Sequence, residues 1–222
     1  MGRAVCARLA REGYFIYAAD LWTGRLEVPG EAVRLDVTDR EAVFTLAHRA
    51  AASHSLAVWV NCAGIFVPVP VPEATEADWD KLIAVNLTGT FHGCAAALAA
   101  MQGKGGGRIV NIGSISGQVG GTGVHPAYGA SKAGVHALTK TYALEGARSG
   151  VLCNAVAPGL LDGAMSDAFD DKAREKLARA NPLGRMGRMD EVAEAIAFLA
   201  GPGASYITGA ILPVNGGSLM PN

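Results

Sequence analysis

The stretch YFIYAAD, residues 14–20, decides the fold of this chain. It is a short apolar run rich in strand-forming residues, and such a run is typical of a strand that is buried on both faces. The ten residues before Gly13 have helical periodicity, because Val5 and Leu9 share one face with several alanines. A helix that leads directly into a doubly buried strand is typical of a parallel sheet covered by helices.

The same alternation of strand and helix continues along the chain. Further strands are predicted at 32–39, 56–64, 107–114, 151–159 and 210–217. Helices are predicted at 3–12 and 40–53, as two successive helices within 73–101, from Pro126 to about Arg148, across 162–180, and at 190–200. The pattern predicts one α/β domain over residues 1–222, a Rossmann-like, doubly wound parallel sheet in three α/β/α layers. Ligands of such sheets bind beyond the carboxyl ends of the strands.

Composition excludes several classes of function. The net charge is −1 with both signs interspersed, so neither a nucleic-acid surface nor a basic membrane patch is predicted. The apolar runs are short and broken, so no transmembrane span and no secretory leader are expected. The four cysteines and five histidines are scattered, which indicates reduced thiols, a cytoplasmic location and no metal site.

The strongest chemical signal is SISGQVGGTGVHPAYGASK, residues 114–132. Tyr128 and Lys132 are four residues apart and share one helix face. An ammonium group close to a phenol lowers its pKa from about 10, so that the tyrosine can exchange a proton with a carbonyl or alcohol oxygen. Ser114 ends a strand on the same side of the sheet and can hold the substrate oxygen. Taken alone, the pair also fits a solvated helix face, Ser114 an ordinary turn residue, and His125 a loop or pocket-lining residue.

Several motifs in order carry a resemblance to a known family. They are NCAG (61–64), VNLTGTF (85–91), IVNIGS (109–114), YGASK (128–132), NAVAPG (154–159) and PVNGG (213–217). With them the chain resembles the short-chain dehydrogenase/reductase family over residues 2–217. It resembles in particular the compact members that are similar to 3-oxoacyl-acyl-carrier-protein reductases.

The resemblance implies an NAD(P)-dependent oxidoreductase that interconverts a secondary alcohol and a ketone by hydride transfer. Tyr128 is then the acid and base, and Lys132 lowers its pKa and binds the nicotinamide ribose. Ser114 orients the substrate oxygen, and Asn86 holds a water molecule that relays protons from Lys132. Without that context, Asn86 also fits a residue that caps or kinks a helix.

The resemblance also implies a set of cofactor-binding residues. They are Gly2, Asp20, Asp36, Val37, Asn61, Ala63, Gly64, Tyr128, Lys132, Pro158, Gly159 and Leu161. A carboxylate at Asp20 accepts hydrogen bonds from ribose hydroxyls and repels a 2′-phosphate, which favours NAD over NADP. Arg25 is close enough in sequence to complicate this preference, and a helix N-cap is the other role open to Asp20.

The chain departs from the family pattern at three places. Cys62 replaces the second asparagine of the usual turn, and Gly163 stands where the family often has a threonine that contacts the cofactor. Asp162 or Ser166 is expected to replace that contact. Gly2 matches the last glycine of the phosphate-binding fingerprint, so the family's first strand and most of its glycine-rich loop are missing from the sequence.

Two explanations for this missing front stay open: a reading that starts at an internal methionine, which is favoured, and a genuine short variant. In the second case weak NAD binding and low stability are expected. A homologue that binds cofactor or acts as a scaffold with little turnover is therefore the alternative function.

The partners implied are a small alcohol or ketone and further copies of the chain. The pocket is expected at 65–72, 115–125 and 160–180, with an apolar lining that includes Val67 and Val119. A 3-oxoacyl thioester, a secondary alcohol, a cyclic ketone and a sugar all stay open as substrates. The resemblance implies a homotetramer or homodimer built on the helices at 85–101 and 126–148 and on the final strand.

Overall fold

The computed structural model describes residues 1–23, 30–163, 166 and 170–220. The strands are β1 Ile16–Asp20, β2 Gly30–Arg34, β3 Val58–Asn61, β4 Gly107–Ile112, β5 Val151–Pro158 and β6 Ile211–Val214. The helices are α1 Gly2–Arg11, α2 Arg40–His54, α3 Glu76–Leu82, α4 Gly89–Met101, α5 Ser116–Val119, α6 Pro126–Ala147, α7 Asp171–Ala180 and α8 Met189–Ala200. A π-helical segment, Ile83–Thr88, joins α3 to α4.

All strand pairs are parallel, in the order β2–β1 and β3–β4–β5–β6. On one face α1 and α8 pack on the strands through Val5, Leu9 and Ile196. On the other face, α2, α4 and α6 cover the sheet through two further clusters of buried side chains. Helices on both faces of parallel strands confirm the predicted Rossmann-like α/β fold.

The two sheets meet at a seam between β1 and β3. In the described part of the chain no strand pairs with both of these edges, and a cavity of about 1410 Å³ runs between them. Helix packing holds the seam from one side, where α1 lies on α8 and Arg8 pairs with Glu194 at 2.7 Å.

The bounds of some elements differ from the expectation. β2 spans Gly30–Arg34 rather than 32–39, and most of its residues are exposed because it is an edge strand. Within 162–180 the structure describes α7, Asp171–Ala180, whose first turn is capped by the side chain of Asp170. Arg25 and part of 164–169 lie outside the described residues.

The successive helices predicted within 73–101 form one continuous run. It comprises α3, the π-helical segment and α4, and Thr75 caps its first turn by accepting a hydrogen bond from the Asp78 N–H. Among the described residues this run, Glu76–Met101, is the one helix long and apolar enough to cross a membrane. Half of its most apolar window is buried inside the protein, as in a core helix.

Candidate active site

Tyr128 and Lys132 lie in the first two turns of α6, on the face that packs against β4. Pro126 begins the helix, and the side chain of His125 caps it by accepting a hydrogen bond from the Ala127 N–H at 3.1 Å. Lys132 is buried, and its Nζ donates to the Ile112 carbonyl oxygen at 2.7 Å. The same Nζ lies 5.9 Å from the centre of the Tyr128 ring. The two side chains therefore meet at the carboxyl end of β4.

Burial sets the pKa values of this pair. It lowers the pKa of Lys132 from 10.5 to about 8, because a buried ammonium loses its hydration. Burial also raises the pKa of Tyr128, and a hydrogen bond with Ser114 opposes that rise without cancelling it. The sequence predicted a lowered pKa for Tyr128. In this geometry desolvation of the phenol outweighs the groups that favour its ionised form, so the direction is the opposite.

Ser114 lies on the turn that follows β4, beside Tyr128. Its Oγ accepts a hydrogen bond from the Ser116 N–H at 3.1 Å. The next residue, Ile115, donates its N–H to the Pro158 carbonyl oxygen at 3.1 Å, which ties this turn to the end of β5. The serine hydroxyl is thus held beside the phenol by main-chain contacts of the two residues that follow it.

Asn86 is fully buried in the π-helical segment, a kind of distortion that is frequent at functional sites. Its Oδ1 accepts from the Ile65 N–H at 2.8 Å, and its Nδ2 donates to the Ile65 carbonyl oxygen at 3.0 Å. Nδ2 also lies 3.3 Å from the Ser131 hydroxyl. Asn86 therefore fastens the loop after β3 to α6, next to Lys132.

Five of the residues implied to bind a cofactor line the 1410 Å³ cavity: Gly2, Asp20, Val37, Asn61 and Ala63. Gly64 lies beside two of the predicted catalytic residues, since a Cβ there would lie 3.4 Å from Asn86 Oδ1 and 3.7 Å from Lys132 Nζ. Asn86, Ser114, Tyr128 and Lys132 do not line the cavity themselves. Val85 and Thr90, close to Asn86 in sequence, are among the residues that line it.

Asp20 is the last residue of β1 and does not cap a described helix, and Asp36 lies in the loop that follows β2. The Asp20 carboxylate accepts from the Trp22 N–H at 3.1 Å and stays exposed at the end of β1. Asp36 accepts two hydrogen bonds from Thr38, at 2.9 and 2.8 Å, which hold the pKa of its carboxyl group below the usual value. Asp20 therefore keeps free acceptor capacity toward the cavity, whereas Asp36 orders the loop that follows β2.

The side chain of Asn61 belongs to a buried polar network that sequence reasoning missed. Asn61 Nδ2 donates to Asn111 Oδ1 at 2.8 Å, and Asn111 Nδ2 donates to Thr139 Oγ1 at 2.9 Å. Trp59 Nε1 donates to Asn61 Oδ1 at 2.8 Å. The signal in the sequence was a polar residue, Asn111, inside the apolar strand IVNI. The Asn61 amide thus joins β3 to β4 and, through Asn111, to α6.

The structure does not bring all of the β5 turn residues to the cavity. Pro158 and Gly159 are held by main-chain hydrogen bonds to Ile115 and Val214. Leu161 lines a separate cavity of about 630 Å³ beside α8.

Both residues expected to replace the family's threonine contact have partners within the chain. Asp162 pairs with Arg174 at 2.7 Å, and the hydroxyl of Ser166 donates to the Gly163 carbonyl oxygen at 2.8 Å.

Comparison with known proteins agrees with this arrangement. A family whose description is enoyl-(acyl carrier protein) reductase matches residues 1–218. The chain is 40% identical to mouse (3R)-3-hydroxyacyl-CoA dehydrogenase, over 99% of the chain and 92% of that protein. It is 41% identical to the cis-4-hydroxycyclohexanecarboxylate dehydrogenase of Sinomonas cyclohexanicum, over 98% and 91% respectively.

A third relative is the 3-oxoacyl-[acyl-carrier-protein] reductase of Thermotoga maritima, which is 36% identical over 99% of the chain and 94% of that protein. The fold, the order of the motifs and these relatives agree with one another. The chain belongs to the short-chain dehydrogenase/reductase family and is an NAD(P)-dependent oxidoreductase that acts on CH–OH groups.

Proposed function

We propose that the protein interconverts a 3-oxoacyl thioester and its 3-hydroxy form, with NAD as the preferred cofactor. The observation that carries the chemistry is the convergence of Ser114, Tyr128 and Lys132 at the carboxyl end of β4. A phenol, a hydroxyl and an ammonium group in one buried place fit proton management at a carbonyl oxygen.

The residues of the site take complementary roles in this proposal. In reduction, Tyr128 Oη gives its proton to the substrate oxygen, while the Ser114 hydroxyl holds that oxygen in place. In oxidation, Tyr128 takes the proton of the alcohol. Lys132, with a pKa of about 8, exchanges protons near neutrality and restores the protonation state of Tyr128. Asn86 keeps the loop after β3 against α6. In this position it would hold a water molecule that relays protons from Lys132.

The lining of the cavity fits a dinucleotide. The cavity is lined by Gly2 in the first turn of α1, where the amino end of a helix favours phosphate, by Asp20 at the end of β1, and by Ala63 after β3. Asp20 and Gly2 would hold the adenosine ribose and the pyrophosphate, and Val37 the adenine. The nicotinamide ring supplies or accepts the hydride when it is bound. The exposed carboxylate of Asp20 supports NAD, because it would repel a 2′-phosphate.

The apolar loop after β3 supports an acyl substrate. Phe66 packs edge-on against Tyr128, with ring centres 5.2 Å apart, and the Val67 carbonyl oxygen accepts from the His125 N–H at 3.0 Å. The loop therefore presents apolar side chains directly beside the acid and base. The relatives named for hydroxyacyl-CoA and oxoacyl-carrier-protein substrates support the same class.

We further propose an oligomer, a homotetramer or a homodimer, in the cytoplasm. Phe91 on α4 and Leu144 on α6 are large apolar side chains that are exposed on the helices expected to form the interface. Four free cysteines support a reducing compartment. Light scattering of the purified protein tests the oligomer, and a single monomer mass at micromolar concentration would contradict it.

A homologue that binds cofactor with little turnover is the second candidate. The seam between β1 and β3 favours it, because no described strand pairs with both of these edges and the cavity extends along them.

One assay separates the two candidates. NADH and NADPH oxidation is followed with acetoacetyl-CoA, a cyclohexanone carboxylate and a keto sugar, and Tyr128→Phe is the control. Turnover with the thioester that falls by about 10²–10⁴-fold in Tyr128→Phe supports the proposal. Cofactor binding without turnover on any of the three would support the second candidate.

A further inference from the structure

His136 is a buried histidine one helical turn after Lys132, and it has no part in the chemistry proposed above. It is 7% exposed, and in the described part of the chain its Nε2 has no hydrogen-bond partner. Buried polar atoms without a partner are uncommon and call for an explanation. With Tyr128 and Lys132 it forms a series at intervals of four residues along one face of α6.

The imidazole of His136 packs against the turn that carries Ser114. A Cβ atom added to Gly113 would come 2.3 Å from His136 Nε2, and one added to Gly117 would come 2.9 Å from its Cε1. The ring therefore fills the space that these two glycines leave on either side of the serine. Gly113 meets the ring first, and Gly117 meets both the ring and the main chain of α6 at Lys132 and Ala133, so the ring and the helix together set the depth of the turn.

We propose that His136 is a positioning residue for Ser114, whose uncharged imidazole supports the turn 113–117 and whose protonation at acidic pH loosens that turn. The inference rests on the proposed role of Ser114. A charged ring at this place is costly, because it would be buried and would stand next to a second cation. The protonated ring regains hydration most easily if the turn 113–117 moves away and lets water reach it.

The charged groups around the ring lower the pKa of His136. The groups that face it are the ammonium groups of Lys132 and Lys140, both on α6, and the turn 113–119 that packs against it has no charged side chain. Burial first, and then these two lysines, hold the pKa of His136 below its usual 6.5. The ring is therefore uncharged at neutral pH and gains its proton only in the acidic range.

The pH profile of kcat tests this role, since a merely structural histidine would not change its shape. In the natural protein kcat is expected to fall on the acid side with an apparent pKa below 6.5. His136→Gln, which has a side chain of similar length that does not titrate, is expected to lose less than tenfold at pH 8 and to lack this acid-side fall. His48→Gln, an exposed histidine on α2, is the matched control and keeps the natural profile. Circular dichroism at each pH confirms that the variants are folded.

A pair of substitutions tests the packing itself. Gly113→Ala is expected to lower kcat at least tenfold, because the new methyl group meets the ring. Adding His136→Ala removes the closest obstacle and leaves the Val156 carbonyl oxygen at 3.0 Å, so it is expected to restore a large part of that loss, which is a non-additive result.

An active enzyme whose acid-side fall is the same in His136→Gln, or an additive double variant, would overturn the inference. Absence of turnover in the natural protein on every substrate would instead count against the proposed function.

Discussion

The Nζ atom of Lys132 donates a hydrogen bond of 2.7 Å to the main-chain oxygen of Ile112, the last residue of β4. This contact joins the second turn of α6 to the strand that ends two residues before Ser114. Lys132 therefore supplies a charge and also holds α6 against the end of β4. Its loss should change the position of α6 at the site as well as proton transfer.

Replacing Lys132 by Met should make stability less dependent on pH. The pKa of the lysine is about 8 in the folded protein and 10.5 when unperturbed, so the folded state binds fewer protons between these values. The natural protein therefore gains stability as pH rises from about 8 to 10.5, by up to about 3 kcal/mol. Lys132→Met lacks this gain. Urea unfolding of both proteins at pH 7, 8.5 and 10 measures the difference, and parallel curves would contradict the burial of a charged ammonium group.

Replacing Asp20 by Asn should shift the cofactor preference toward NADP. The substitution removes the charge that would repel a 2′-phosphate and keeps a polar side chain for the ribose hydroxyls. We expect the ratio of kcat/KM for NAD over NADP to fall at least tenfold, mainly through a lower KM for NADP. Asp80→Asn, on the exposed side of α3, controls for the change in net charge. An unchanged ratio would show that Asp20 does not face the adenosine ribose.

Replacing Asn111 by Leu should destabilise the protein by about 2–5 kcal/mol, because it leaves the Asn61 amide and the Thr139 hydroxyl without their partner. Thr139→Val removes only one hydrogen bond of the network and should cost less. The free energy of unfolding in urea measures both. Equal losses for the two variants would mean that Asn111 is not the centre of the network.

Replacing His125 by Ala should lower both stability and activity without changing the shape of the pH profile. His125 caps α6 through Nδ1, and its Nε2 lies 3.0 Å from the Thr75 carbonyl oxygen. Loss of an N-cap costs about 0.5–2 kcal/mol and moves the turn that carries Tyr128. His125→Asn should restore the cap and most of the activity. A variant that loses an ionisation from the kcat profile would instead identify His125 as an acid or base.

The fold could be predicted because its signals are local. An apolar run such as YFIYAAD, bounded by helical periodicity, indicates a doubly buried strand before any contact is known, and the spacing of Tyr128 and Lys132 puts them on one helix face. Contacts between distant elements are a different matter. The Asn61–Asn111–Thr139 network and the contact of His136 with Gly113 depend on how β3, β4 and α6 come together, which no local pattern specifies.

Two further differences have the same physical origin. The raised pKa of Tyr128 follows from the extent of its burial, which spacing alone does not give. Leu161 follows the predicted Pro158–Gly159 turn, yet the chain pairs there with Gly187 and carries the side chain toward α8. A sequence motif located the turn correctly but could not specify the direction of the chain after it.

Because no strand hydrogen-bonds across the seam between β1 and β3 in the described part of the chain, we expect the two sheets to unfold locally as separate units. β4 and β5 share hydrogen bonds along six residue pairs, whereas β1 and β2 are connected to them through side-chain packing and loops. The backbone amides of β1 and β2 should therefore exchange with deuterium well before those of β4 and β5, as a separate unit of local unfolding. A dinucleotide bound across the seam would protect both units at once, and exchange rates would then report cofactor binding residue by residue.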